Sequence, residues 1–220
     1  AELETAYNNK VAELEANKQA NADALAALEA AHKAEVEGLE GNIEDLEAAY
    51  EAKVAELEAE KTANAEALAK LEEIGKLKAV VTQNIDGLHQ AAGSKRVLEL
   101  HGSVLRNYCE KCKHFYDINA IIDSEGVPTC ECGGRIKPDV VLYEEGLNQQ
   151  ILSDSVKAIS EADMLIIGGT SLAVYPAAGL IDYYRGDKLV LINKTPTPRD
   201  SMANLVITDS IGEVFSKLEI

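Results

Sequence analysis

Two short stretches of this sequence end in side chains that suit proton transfer and sugar binding. The β-branched run Val80-Val81-Thr82 predicts a buried strand, and a second apolar run, Val97–Leu100, leads directly into His101. The polar residues that follow the first run are Gln83, Asn84, Asp86 and His89. Strand ends of this kind are where open α/β sheets bind ligands. Because histidine titrates near neutral pH, His101 is a candidate for acid–base chemistry, whereas His89 is equally consistent with a structural role.

Four cysteines predict a metal site. Cys109 and Cys112 form one close pair, Cys130 and Cys132 form another, and 17 residues separate the pairs. Two close pairs at this spacing are typical of a structural zinc ribbon, although free thiols or a disulfide remain the alternative. The second pair has one intervening residue instead of the more common two. We expect His114 to lie outside the tetrahedron, and the zinc to hold the small module without activating water.

A third group of candidate residues follows two later apolar runs. Gly168-Gly169-Thr170-Ser171 follows Met164–Ile167, and Asn193-Lys194 follows a run that ends at Ile192. Small residues at a strand end allow a ligand to approach the backbone, and hydroxyl groups can bond to phosphate or ribose. On their own, Asn193 and Lys194 are more typical of an ordinary turn.

The elements that must position these residues alternate between apolar strands and amphipathic helices. This alternation predicts an α/β fold with a parallel sheet. The predicted strands are 79–82, 97–100, 140–143, 164–167, 189–192 and 205–207, and the predicted helices are 148–160 and 176–184.

The first 73 residues have a different composition, rich in alanine and glutamate and without proline. The segment from Leu3 recurs from Leu46 at an offset of 43 residues. Apolar residues spaced alternately by three and four indicate a coiled-coil seam, interrupted by Lys18 and Asn21 and again by Lys61 and Asn64. We expect an oligomerising rod. The alternative is a solvated helix or a hairpin broken near 38–41, with a new helix capped at 42–45.

Charge and hydropathy exclude several classes of protein. The 220-residue chain carries a net charge of −17, with 38 acidic and 21 basic residues, which argues against general binding to nucleic acid or anionic membranes. Residues 1–73 hold 19 acidic and 6 basic residues, a net charge of −13. No apolar run approaches the roughly 20 residues that span a bilayer, and no signal peptide is evident. A cytoplasmic protein is expected.

Residues 65–220 resemble the sirtuins, NAD-dependent protein-lysine deacylases, in the order and spacing of several motifs. These motifs are TQNIDGLHQAAG, ELHG, the cysteine quartet, KPDVVLYEE, GTSLAVYPAAGL and INK. The resemblance implies a Rossmann-like sheet with a zinc module at about 105–138, preceded by a helical repeat over 1–64. The implied function is NAD-dependent deacylation of lysine side chains in peptides or proteins.

The resemblance also implies a role for each matching residue. His101 would be the general base for a ribose hydroxyl, with Asn84 as the second catalytic residue. The expected NAD-binding residues are Gln83, Asn84, Asp86, Gly169, Thr170, Ser171, Asn193 and Lys194. The acyl-lysine peptide would add as a strand beside Val140, Val141, Leu142 and Tyr143, near Glu144 and Glu145.

One part of the family pattern does not occur between Ala1 and Lys78. Sirtuins begin their nucleotide fold with a strand, a GAGxS turn that cradles the pyrophosphate and a GIPxFR loop, whereas here the helical repeat occupies that region. We therefore expect an incomplete sheet with an exposed edge, and impaired turnover. The alternative function is a non-catalytic helical oligomerisation protein, or a chimera, that carries a zinc-binding sirtuin fragment.

Overall fold

The computed structural model describes residues 1–218 and begins with one long helix. Helix α1 runs without interruption over Glu2–Glu73, a length of 72 residues. The predicted alternative of a hairpin broken near 38–41 is wrong, because alanine and glutamate on both sides maintain the helix through two glycines. The helix ends at Glu73, and Gly75, with a φ of 74°, follows it and donates its N–H to the Glu72 carbonyl at 2.9 Å.

The chain divides into two compact units, Ala1–Leu57 and Glu58–Ile220, so the boundary falls inside α1. In the first unit every residue is exposed except Val11 and Val54, which are half-buried. Its exposed large apolar residues are Leu3, Tyr7, Leu14, Leu25, Leu28, Val36, Leu39, Ile43, Leu46, Tyr50 and Leu57. The predicted seam is therefore uncovered in the single chain, and the coiled coil stays a prediction. Among residues 1–218, no helix has the length and hydropathy to cross a membrane.

Within the described part of the second unit, residues 58–218, there are eight strands and four further α-helices. The strands are β1 Val80–Thr82, β2 Val97–Glu99, β3 Gly102–Cys109, β4 Phe115–Asp117, β5 Ile136–Val140, β6 Leu165–Gly168, β7 Leu189–Ile192 and β8 Leu205–Ile207. The helices are α2 Leu88–Ala91, α3 Asn119–Ile122, α4 Gln149–Ser160 and α5 Ile211–Ser216, with 3-10 helices at Ala177–Tyr183 and Asp200–Met202.

The parallel strands form two sheets, so the α/β class is confirmed but a single sheet is not. Strands β1 and β2 pair in parallel, and β6, β7 and β8 form a separate parallel sheet in that order. Val80, through its N–H, and Thr82, through its C=O, form backbone hydrogen bonds on the side of β2. The N–H and C=O of Val81 therefore point away from β2. Within residues 1–218 no strand pairs with that edge of β1, or with the edge of β6 opposite β7.

Two predicted elements differ from the observed ones. The strand expected over 140–143 is wrong beyond Val140, because the chain turns at Glu144, which has a φ of 70°. The Glu145 carboxylate stabilises this turn by accepting the Leu142 N–H at 2.9 Å. The helix expected over 176–184 is a 3-10 helix. Helix α4 is confirmed, and the side chain of Asn148 caps its first turn.

The two parallel sheets share one hydrophobic core. Its buried residues are Leu100, Ile159, Ala177 and Leu180. Val81 of β1 and Leu165 of β6 both pack against this cluster, as do several residues of α4. A second cluster on the β7 side contains Leu172, Ile181, Leu189 and Leu191. The core therefore holds the ends of β1 and β6 in one folded unit.

Gly102, at the start of β3, allows a close backbone approach that only glycine permits. It pairs with Val140 of β5 at a φ of 77°, and a Cβ at this position would overlap the Asp139 carbonyl oxygen. Because this approach places β5 beside residue 101, the geometry around His101 depends on it.

We predict that Gly102→Ala lowers the free energy of unfolding by about 3 kcal/mol or more, since it adds a backbone overlap to an unfavourable dihedral. Gly126→Ala is the matched control, because Gly126 has a similar φ of 75° but open space around it. This control should lose only about 1–2 kcal/mol. Thermal unfolding followed by tyrosine fluorescence compares the two, and equal losses would contradict the overlap.

Candidate active site and metal centre

His101 lies where three segments of the chain meet. Its Nδ1 is 3.1 Å from the Gln83 carbonyl oxygen, just beyond β1, and its own carbonyl accepts the Val141 N–H at 3.1 Å. Because a carbonyl can only accept, this contact places the ring proton on Nδ1. The Nε2 lone pair is then available to take up a proton, as a general base requires.

The polar residues after β1 form a tight turn beside His101. The Asn84 N–H donates to Thr82 Oγ1 at 3.0 Å, and Asp86 Oδ1 accepts the Leu88 N–H at 3.1 Å at the start of α2. The side chains of Asn84 and Asp86 are exposed. The turn therefore brings Gln83 into contact with His101 and presents Asn84 and Asp86 to solvent.

The glycine and hydroxyl residues after β6 lie next to the polar pair after β7. The Gly169 N–H bonds the Ile192 carbonyl at 3.1 Å, which places 169–171 and 193–194 at the same sheet edge. Asn193 uses its amide to bond the Thr195 carbonyl at 2.8 Å, as in an ordinary turn. Thr170 Oγ1 accepts the Leu172 N–H, while Ser171 and Lys194 are exposed. Within residues 1–218, no hydrogen bond joins this group to His101.

The residues expected to bind peptide extend from the end of β5. Val140 and Val141 are half-buried beside residues 101 and 102, whereas Tyr143 is fully exposed. The N–H of Leu142, and then Lys137 at 3.0 Å, lower the pKa of the Glu145 carboxyl by hydrogen bonding to it. Of the four residues expected to bind peptide, only Val140 and Val141 lie against the His101 segment.

A buried ion pair that the sequence did not indicate fixes β2 against β3 and β5. Glu99 is only 6% exposed, and its carboxylate accepts from Arg106 at 2.6 Å and from Gln90 at 2.8 Å. Arg106 also donates to Asp139 at 3.1 Å. Burial opposes the charge on Arg106, but the hydrogen bonds that it donates to Glu99 and Asp139 outweigh this effect and raise its pKa. The motif ELHG places this glutamate two residues before His101, but nothing in the motif indicates its partners.

His89 lies on α2, close to this ion pair. Burial lowers the pKa of its imidazole, although Asp86 and Glu99 act in the opposite direction. Its Nδ1 is buried without a hydrogen-bond partner among the described residues. This environment suits a neutral histidine in the packing of α2.

The four cysteines converge at one point at the far end of β3. All four Sγ atoms lie within 4.8 Å of one another. Cys109 and Cys132 are 3.5 Å apart, and Cys112 and Cys130 are 3.6 Å apart. A tetrahedral zinc with Zn–S bonds of about 2.3 Å needs sulfur–sulfur edges of about 3.8 Å, so the cluster fits zinc. His114 is not part of the cluster, as expected.

The surroundings of the cluster favour thiolates at two of its members. Backbone hydrogen bonding from Cys112 lowers the pKa of Cys109, and a hydrogen bond from Tyr116 lowers that of Cys130 to about 6. Because Gly134 has no Cβ, it leaves room for the sulfur of Cys109. A Cβ at position 134 would lie too close to that sulfur. Thiolates are the form in which cysteine binds metal.

Comparison with known proteins identifies relatives over much of this chain. A model of the Sir2 family matches residues 18–176. An NAD-dependent protein deacetylase of Clostridium perfringens is 67% identical over 148 residues, covering 66% of this chain and 61% of the relative. One of Clostridium acetobutylicum is 66% identical over 145 residues, covering 65% and 59%. The chain thus spans about three fifths of the length of these curated relatives.

Solved structures agree with the family match. Sir2 with a p53 peptide and NAD⁺ is 42% identical, with a TM-score of 0.66, over 70% of this chain and 67% of that one. Sir2 bound to an acetylated peptide is 41% identical, with a TM-score of 0.67, over 70% and 68%. The family model, these relatives and the Rossmann-like α/β fold lead to one conclusion: this chain belongs to the Sir2 family, the sirtuins.

Proposed function

We propose that this chain is an NAD-dependent protein-lysine deacylase of the sirtuin type. The observation that carries the proposal is the position of His101, whose Nδ1 is held by Gln83 while its backbone bonds Val141. In this arrangement Nε2 can remove a proton from a ribose hydroxyl, next to the segment proposed to bind the peptide. Bound NAD would supply the ribose that receives the acyl group and the nicotinamide that leaves.

The remaining site residues supply binding groups. Gln83, Asn84 and Asp86 would contact the nicotinamide and its ribose, with Asn84 next to the reacting atoms. Hydroxyls at Thr170 and Ser171, the open space at Gly169, and the exposed Lys194 with Asn193 suit the rest of the dinucleotide. An acyl-lysine peptide would extend alongside Val140–Tyr143, since β5 is at an edge of its sheet.

Turnover is proposed to be impaired. The family's GAGxS turn, which would bind the pyrophosphate, does not occur between Ala1 and Lys78. The unpaired edges of β1 and β6 are consistent with a strand missing from between them. If no turnover can be detected, the alternative function is favoured: a helical oligomerisation protein that carries a zinc-binding sirtuin fragment.

Two further roles complete the proposal. The cysteine quartet would hold a structural zinc, because four protein ligands leave no open position for substrate. The helical repeat, proposed to comprise residues 1–64 ahead of a catalytic domain at 65–220, would join copies of the chain into a homo-oligomer by burying the exposed apolar stripe of α1. A cytoplasmic location, without nucleic-acid or membrane partners, fits the acidic composition.

We predict weak release of nicotinamide from NAD in the presence of an acetyl-lysine peptide. His101→Ala should reduce it by about 10²-fold or more, as expected for the loss of a general base. His32→Ala, on the exposed part of α1, is the control and should have no effect. Turnover that survives His101→Ala would contradict the catalytic assignment, and a rate equal to that of full-length relatives would contradict impairment.

We predict one tightly bound zinc per chain, measured by metal analysis after gel filtration. Cys130→Ser should abolish stoichiometric zinc because one thiolate is lost, while His114→Ala, outside the cluster, should retain it. Acidification should release the metal, since protons compete for the thiolates. Full zinc content in Cys130→Ser would contradict the site.

We predict reversible self-association in sedimentation velocity at tens of micromolar protein. Leu25→Asp combined with Leu28→Asp should give a monomer, because both residues lie on the exposed stripe. Ala34→Asp, on the opposite face of the helix, is the control and should still associate. A wild-type monomer at every concentration would exclude oligomerisation.

A further inference from the structure

The last two turns of α1 pack against the α/β part of the second unit. Within Asn64–Glu72, Ala65 is only 2% exposed. Its half-buried neighbours in this segment are Asn64, Ala67, Leu68, Ala69, Leu71 and Glu72. Glu66 and Lys70 are exposed on the outer side of the segment, where both also line a cavity that the segment shares with α5. We call Asn64–Glu72 the docking segment.

Specific contacts hold the docking segment on the α/β part. The Glu72 carboxylate accepts the backbone N–H groups of Lys95 at 2.7 Å and Arg96 at 2.9 Å, just before β2. Gly93 lies close to Ala69, since a Cβ there would be 4.0 Å from the alanine methyl. The segment and α5 line a cavity of about 300 Å³, with Phe215 on the α5 side.

The 43-residue repeat places nearly the same sequence earlier in the helix. Asn21–Glu29 reads NADALAALE and the docking segment reads NAEALAKLE. They differ at Asp23 in place of Glu66 and at Ala27 in place of Lys70, the two positions that are exposed in the docking segment. Every buried or half-buried residue of the docking segment is therefore identical in Asn21–Glu29.

The environments of the two segments differ completely. All residues of Asn21–Glu29 are exposed, Leu25 by 57% and Leu28 by 68%. We propose that Asn21–Glu29 is a second docking segment, and that it binds the α/β part of a second copy of this chain. The surface used would be the one formed by 93–96 and α5. The inference rests on the proposed self-association and specifies which surface of the partner copy is involved.

Charge favours this occupant over a second helix. Residues 1–73 carry a net charge of −13, whereas the rest of the chain carries −4. Two such helices side by side would repel each other, while the α/β surface offers Glu29 the backbone N–H groups of two basic residues, Lys95 and Arg96.

Docking on a partner competes with docking within the chain. Each α/β part has one such surface. Its own docking segment must therefore dissociate from that surface before Asn21–Glu29 of another copy can bind there. The covalent connection gives the internal segment a high effective concentration, and the intermolecular form should therefore increase with protein concentration.

Photo-cross-linking of the full chain tests the inference. A photoreactive residue in place of Asp23, at the outer side of the second segment, is activated in a mixture of unlabelled and ¹⁵N-labelled chains. We expect mixed-isotope cross-links from position 23 to peptides that contain 212–218, because Glu66 lines the cavity beside α5. Glu29→Ala should reduce their yield about tenfold, since it removes charged hydrogen bonds to backbone. Glu40→Ala, on an exposed part of α1, is the control and should leave the yield unchanged.

A second probe in place of Leu39, on the stripe but outside Asn21–Glu29, distinguishes the competing results. Mixed-isotope cross-links from position 39 to α1, with none from position 23 to 212–218, would mean helix–helix pairing; the inference would then be overturned while self-association stands. A monomer in sedimentation with no mixed-isotope cross-links would overturn both.

Discussion

The site region depends on a carboxylate that folding removes from water. Glu99 ends β2 two residues before His101, and its buried carboxylate accepts hydrogen bonds from Arg106 of β3 and Gln90 of α2. A buried charge without its partner is costly, so β2, β3 and α2 must adopt their positions together. Since Arg106 also bonds Asp139 of β5, the same network brings the Val140–Val141 segment to His101.

The two parallel sheets share a hydrophobic core, although no strand pairing joins them among the described residues. Val81 and Leu165 belong to different sheets, yet both pack on the cluster around Leu100 and Leu180. Apolar burial is non-directional, so it holds the two sheets together without backbone pairing between them. The polar ends of β1 and β6 consequently occur in one unit, although no strand among the described residues connects their edges.

The sequence was sufficient to predict those elements whose patterns involve residues close together in the chain. Strands β7 and β8 were predicted at their observed bounds, and α4 was predicted to within one residue. The cysteine quartet was identified from spacing alone. Strand β3 was missed because Arg106 and Asn107 interrupt its apolar pattern. Arg106 bonds Asp139, 33 residues away, and Asn107 is buried although it is polar. The end of β5 was misplaced because Glu145, a residue beyond the apolar run, holds the turn. The long-range pairing of Glu99 has no periodic signature, so only the folded chain reveals it.

Strand β3 has one end at the proposed proton-transfer site and the other at the metal centre. It begins at Gly102, next to His101, and ends at Cys109, a member of the thiolate cluster. Eight residues of extended chain span roughly 24 Å, and pairing with β4 and β5 limits how far the strand can move, although its register with β5 shifts between Ser103 and Asn107. Strand β3 thus sets the separation between the two sites. Zinc held by the cluster would fix the far end of this strand, and loss of the metal would then loosen the segment that leads back to the imidazole.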